Sequence, residues 1–130
     1  MLWRTTGVPT HEEQLKLTLD HDQDVTRFAR TSDYADGIPA FELVTLALHL
    51  LPYADGNSTV TDLNQLAVSN KVTLGKARET VSHVPADGIV ARHLGIKPTA
   101  TIMRIERIVE TRSCVPLEWR ITFFQRNPRI

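Results

Sequence analysis

The stretch that begins at Val25, VTRFARTSDYADGIPAFELVTLAL, recurs in outline 77 positions later at Ile102, as IMRIERIVETRSCVPLEWRITFFQ. At that offset Arg27 falls on Arg104, Arg30 on Arg107, Pro39 on Pro116 and Thr45 on Thr122. Each copy alternates apolar and polar residues, turns, and alternates again, the pattern of a hairpin with one face toward a core. Asp36-Gly37 supplies the left-handed backbone a tight turn needs, and the second copy places TRSC at the same point. A chain with two such arms is constrained to bury both in antiparallel sheet.

The remaining segments fit between the arms. Each arm follows a short helical stretch, THEEQLKL in the first copy and GIVARHLGI in the second. Thr10 and Glu13 have capping-box spacing, and Gly95 sits where a helix would stop. Between the arms, Val60, Leu63, Leu66 and Ala67 recur at helical spacing behind Ser58, Thr59 or Thr61 as caps. A strand follows from about Lys71 to Val84. Its phase changes, with Val72 and Leu74 on one side and Ala77, Glu79 and Val81 on the other, which predicts a bulge near Gly75. The expected order is strand, helix, hairpin, helix, strand, helix, hairpin, an α+β fold in one domain spanning 1–130.

Composition removes several function classes. Fifteen Lys and Arg balance fifteen Asp and Glu, so no whole-chain field draws the protein to nucleic acid or an anionic membrane. Cys114 is the only cysteine, which excludes an internal disulfide and suits a reducing, cytoplasmic compartment. No apolar run reaches the roughly 20 residues of a membrane span, and the first residues lack the apolar centre of a signal peptide. His11, His21, His49, His83 and His93 are scattered without metal-ligand spacing, and no Ser-His-Asp order stands out. The expectation is a protein that is not an enzyme and holds neither metal nor cofactor.

Strand parity singles out the arginines. Met103, Ile105, Arg107 and Val109 share one face of the second arm, and Phe28, Arg30, Ser32 and Tyr34 line up in the first. Each arm thus carries a guanidinium two residues after a large apolar side chain, on a face expected to be at least half-buried. Either the arginines snorkel or pair with internal glutamates, or they converge on a small anion whose geometry suits their planar donor fork. Burial without a partner costs several kcal/mol. Glu42 and Glu118, on the return strands, are candidates for either role. Glu118 shares parity with Arg120, Thr122 and Phe124, a row that lines a cavity or faces water, with periodicity slightly favouring water, whereas Leu117, Trp119, Ile121 and Phe123 form an apolar row.

Three segments, LGIKPTATIMRIERIVETRSCVPLEWRITFFQRNPRI, DYADGIPAFELVTLALHLLPY and KVTLGKARETVSHVPADGIVARHLGI, resemble the UTRA domain of GntR-family transcription regulators of the HutC subfamily. The resemblance runs from about Glu12 to Arg129 and rests on order and spacing more than on any single motif. It implies a six-stranded antiparallel sheet with flanking helices, similar to chorismate lyase, a bound small effector and a homodimer. Operator DNA would be reached through a winged helix-turn-helix domain, which is not expected within these 130 residues.

Relatives that bind phosphosugars imply site positions that carry over one at a time. The first arginine matches Arg30, while a second falls on Ser32, which lacks the charge. The return-strand glutamate is Glu42. A serine at the middle helix becomes Thr61, and the aromatic residue two positions on becomes Leu63. On the last strand the glutamate is Glu118 and the tyrosine is replaced by Phe124. These departures favour a different small carboxylate or phosphate, or an amino-acid catabolite, over a phosphosugar, with Arg78 or Arg107 available to restore the charge. A chorismate lyase-like enzyme and a remnant that only dimerises, through rows such as Trp119, Ile121 and Phe123, stand as the alternatives.

Overall fold

The structure is a computed structural model that describes residues 1–54 and 62–125. Its elements run β1 (Trp3–Gly7), α1 (His11–Leu17), β2 (Val25–Tyr34), β3 (Ile38–Ala47), α2 (Leu63–Ser69), β4 (Leu74–Pro85), α3 (Gly88–Leu94), β5 (Thr101–Thr111) and β6 (Pro116–Phe124). This is the order that the periodicity predicts, and the sheet is six-stranded, antiparallel and α+β as expected.

Local chemistry explains the boundaries. Thr10 and Glu13 form the reciprocal capping box, and Gly95 ends α3 in the left-handed conformation at φ 67°. Asp36 and Gly37 turn the first hairpin with φ of 62° and 75°. The middle helix differs from expectation at its cap. Asp62, not an upstream hydroxyl, accepts from the Gln65 N–H at 3.0 Å, while Ser58, Thr59 and Thr61 lie outside the described residues.

The strand order β1-β2-β3-β6-β5-β4 places the two halves of the chain side by side, each a strand, a helix and a hairpin, meeting at β3 and β6. The helices α1 and α3 cover one face. Leu17 and Leu19 pack on Val25, Ala47 and Trp119, and Val90 and Ala91 pack on Ala29, Phe41 and Ile102. On the other face, Leu63 and Leu66 of α2 close a core of Phe28, Val44, Leu46, Val109 and Leu117.

Two irregularities set the register. Pairing of β4 with β5 slips between Leu74 and Ala77, beside Gly75 as predicted, where an added Cβ would collide with the Thr111 carbonyl. Pairing of β5 with β6 slips after Val109 and Glu118, so that Glu110 faces Pro116. Leu117, passed over by the ladder, is fully buried in the core under α2. A one-residue slip exchanges the faces of every side chain beyond it. The first arm pairs Arg30 with Glu42, whereas the second pairs Arg107 with Arg120 and not with Trp119, the residue that the 77-position offset would supply.

Glycine substitutions test this account of the first bulge. Gly75→Ala should destabilise the domain by about 1–3 kcal/mol through the clash with Thr111. Gly88→Ala, at the start of α3 with open space around it, should be neutral or stabilise by up to about 1 kcal/mol. Urea unfolding of both variants checks the contrast, and equal losses would remove the close approach at Gly75 as the cause.

Candidate functional site

The face under α2 carries the site. Three rows cross the sheet there: Phe28, Val44, Arg120, Arg107 and Glu79; then Arg30, Glu42, Thr122, Ile105 and Val81; then Ser32, Ala40, Phe124, Met103 and His83. The short α2 covers the first row at its β2 and β3 end and leaves the rest as a hollow. One cavity of about 290 Å³ is lined by Ser32, Tyr34, Glu42, Glu79, Arg107 and Thr122, with Arg120 at its base. A second, of about 330 Å³, lies toward α2 between Arg30, Asp62, Leu63, Asn64 and the same two arginines, Arg107 and Arg120.

Glu42 organises one side of this hollow. Its Oε1 accepts from Arg30 Nε at 2.8 Å and from the Ser32 hydroxyl at 3.2 Å. Its Oε2 accepts from the Thr122 hydroxyl at 2.8 Å and lies 4.0 Å from Arg120 Nη1. Burial by itself would raise the carboxyl pKa, but the bonds from Arg30 and Thr122 and the charges of Arg30 and Arg120 together hold it below the ordinary value of 4.5. Phe28 lies beneath, with the Arg30 guanidinium 5.6 Å from its ring centre.

The second arm is built differently. Glu118 is only 1% exposed, and its Oε2 accepts from Arg120 Nη2 at 2.9 Å. Its Oε1 is buried with no hydrogen-bond partner, as are Arg120 Nε and Arg107 Nε. Among the described residues Arg107 forms no ion pair within 4.0 Å, although Arg120 stands opposite it on β6 and Glu79 opposite it on β4. Like charges directly across a ladder repel, so this face of β5 carries an uncompensated cation beside a second one.

The residues expected from the sequence separate accordingly. Arg30, Ser32, Glu42, Leu63 and Arg107 line the hollow. Phe124 is buried beside it, with its ring centre 4.1 Å from that of Tyr34. Glu118 lies under α2 and reaches the hollow only by holding Arg120. Thr61 is outside the described residues. Arg78 is not there: it pairs in register with Ile108, one residue out of phase with Glu79 and Arg107, so it points to the opposite face and sits 3.7 Å from Glu110. The row of Glu118, Arg120 and Thr122, expected to meet water, faces the hollow instead, and Glu118 and Thr122 are buried.

Arg120, Thr122, Tyr34, Glu79, Asp33 and Asp62 are among the lining residues that the sequence does not single out. Arg120 and Thr122 share the parity of Glu118, which was the available signal. On the opposite face two charge clusters are satisfied internally: Arg27 bonds both oxygens of Glu13 at 2.6 and 2.7 Å, and Glu106 takes Trp119 Nε1 at 2.8 Å and Lys16 at 3.1 Å.

Glu42 gives a pH signature. Its stabilisation is fully present above about pH 4.5 and is lost as pH falls through the lower folded-state value. Glu42→Gln should cost about 2–3 kcal/mol at pH 7, by removing a charged acceptor from several donors. The gap between wild type and variant should shrink from pH 6 to pH 3 in chemical unfolding, and a constant gap would show that Glu42 is not a charged hub.

Comparison with known proteins places the chain. The family model of the UTRA domain matches residues 2–127. Among solved structures, the GntR-family transcriptional regulator from Enterococcus faecalis V583 is 26% identical, with a TM-score of 0.81 over 94% of this chain and 88% of that one. The C-terminal domain of YurK from Bacillus subtilis is 18% identical, with a TM-score of 0.81 over 95% and 86%. PhnF from Mycobacterium smegmatis is 16% identical with a TM-score of 0.80, and this chain, 95% covered, spans 56% of its length. The last two likenesses concern the fold alone. No curated protein sequence matches.

Proposed function

This chain belongs to the UTRA domain family and is an effector-binding regulatory domain, and from that premise we propose that its effector is a small organic acid seated on Arg107 and Arg120. The single observation that carries the proposal is Arg107: a guanidinium with a buried, unbonded Nε, set opposite another arginine and lining both cavities. An anion between the two guanidinium groups relieves their repulsion and takes up donors that the protein leaves unused. Arg30, Ser32, Glu42 and Thr122 frame the seat, and Glu118 holds Arg120 in place.

A carboxylate fits better than a phosphomonoester. Among the described residues Glu42 and Glu118 already pair with Arg30 and Arg120, so the hollow offers Arg107 without an ion pair and not a set of three such guanidinium groups. We place the domain in the HutC subfamily on the resemblance of its strands, and read it as the sensing half of a homodimeric cytoplasmic regulator that reaches operator DNA through a winged-helix domain. Effector contacts to both arms would bias their relative position, and so the spacing of the attached DNA-binding domains. We read the domain as a sensor without catalysis, on its kinship with the effector-binding domains of transcription regulators.

Thermal unfolding against a panel of small carboxylates and phosphomonoesters tests the proposal. A bound acid at a hundredfold excess over Kd should add about 2.7 kcal/mol, a rise on the order of 10 °C for a domain of this size. Arg107→Ala should abolish the rise while leaving the unliganded protein as stable as wild type or more so, because it removes an uncompensated cation. Arg78→Ala, on the other face, should keep it. No rise with any acid, or equal loss in both variants, would overturn the assignment.

A further inference from the structure

We infer that the effector is a zwitterion, a small amino acid whose carboxylate sits on Arg107 and Arg120 and whose ammonium group sits against Glu79. The inference rests on the reading of the hollow as an acid-binding site and adds the second charge of the ligand.

Charge balance leads to it. Arg4 lies over Phe28 and bonds the Ala54 carbonyl, and Asp33 and Asp62 border the two cavities; within the paired rows of β2, β3, β6, β5 and β4 the guanidinium groups of Arg30, Arg107 and Arg120 meet the carboxylates of Glu42, Glu118 and Glu79. Two of those carboxylates are engaged, Glu42 with Arg30 and Glu118 with Arg120. The remaining pair, Arg107 and Glu79, are register partners of opposite charge on adjacent strands of the same face, yet they form no ion pair within 4.0 Å among the described residues. Both line the same 290 Å³ cavity.

A cation and an anion that border one cavity without touching form a dipolar seat. A simple monoanion would answer Arg107 and leave Glu79 facing added negative charge, and a phosphate dianion would make that worse. A zwitterion answers both and adds no net charge to the site. The two ends also differ in setting. Arg107 Nε is buried, whereas Glu79 is exposed on the outer strand β4, so the carboxylate goes in first and the ammonium group stays at the mouth. The charged groups lining this cavity include a further carboxylate, Asp33, and no lysine that would oppose an ammonium group.

The test compares matched pairs by isothermal titration with the intact chain. Glycine, 3-aminopropanoate, 4-aminobutyrate, 5-aminopentanoate and L-glutamate are each set against the amine-free acid of the same length: acetate, propanoate, butanoate, pentanoate and glutarate. The best-binding amino acid should exceed its partner by about fivefold or more, the scale of a partly exposed ion pair. Glu79→Gln should erase that preference while leaving amine-free acids as tight as in wild type or tighter. If amine-free acids bind equally well, the zwitterion inference falls and the acid-binding site stands. If no acid binds wild type at all, the acid-binding site falls and this inference with it. If Glu79→Gln keeps the preference, the ammonium group lies elsewhere and the role of Glu79 is overturned.

Discussion

Arg107 and Arg120 stand opposite each other on adjacent strands, and most of what distinguishes this face follows from that opposition. Two like charges across a ladder are unfavourable, and a low-dielectric surrounding strengthens every such term. The fold neutralises one of the two, by placing the carboxylate of Glu118 at 2.9 Å and that of Glu42 at 4.0 Å from Arg120. Among the described residues it leaves the other with no carboxylate within 4.0 Å. The slip in pairing after Val109 is the origin of the arrangement, since an unshifted ladder would set Trp119 beside Arg107 and send Arg120 to the helical face.

The two faces of the sheet divide structural from functional electrostatics. Under α1, Arg27 and Glu13 are joined by two bonds, and burial, which would raise the Glu13 pKa, is outweighed by the bonds and charge of Arg27 together with the Thr10 cap. Glu106 is held low in the same way by Trp119 and Lys16. The charges in these two sets are answered within the protein, although the same face also carries cavities of about 330 and 280 Å³. Under α2 the coverage is partial for a geometric reason: a helix of seven residues is about 10 Å long, against about 33 Å for a strand of ten. The covered end is apolar core and the uncovered end is the hollow, so one short helix sets both the depth of the site and the dryness of its floor.

Much of this was legible in the residues. Alternation marked all four hairpin strands, Thr10 with Glu13 and Gly95 marked helix ends, and the phase change at Gly75 marked the first bulge. The duplicated arms correctly set Arg30 and Arg107 on one face and Arg27 and Arg104 on the other. The carry-over to the return strand failed because the second hairpin contains the slip that the first lacks. Parity within β6 is visible in the sequence, but which parity faces α2 is not. That is why Arg120 and Thr122 were assigned to water, and why Arg78, one position from Glu79, was offered for a face it does not reach.

The elements, their order, the two arms and the presence of arginines on inward-looking positions could all be read from the residues, because these depend on local periodicity and on turn and cap chemistry. Only the tertiary structure decided which charges meet. The bulge at Glu110 chooses the face of β6, the seven-residue reach of α2 chooses how much of that face stays open, and register across β4, β5 and β6 leaves Arg107 and Glu79 beside one cavity without joining them. Those outcomes depend on contacts between strands far apart in the chain, where a shift of one residue exchanges the two sides of the sheet.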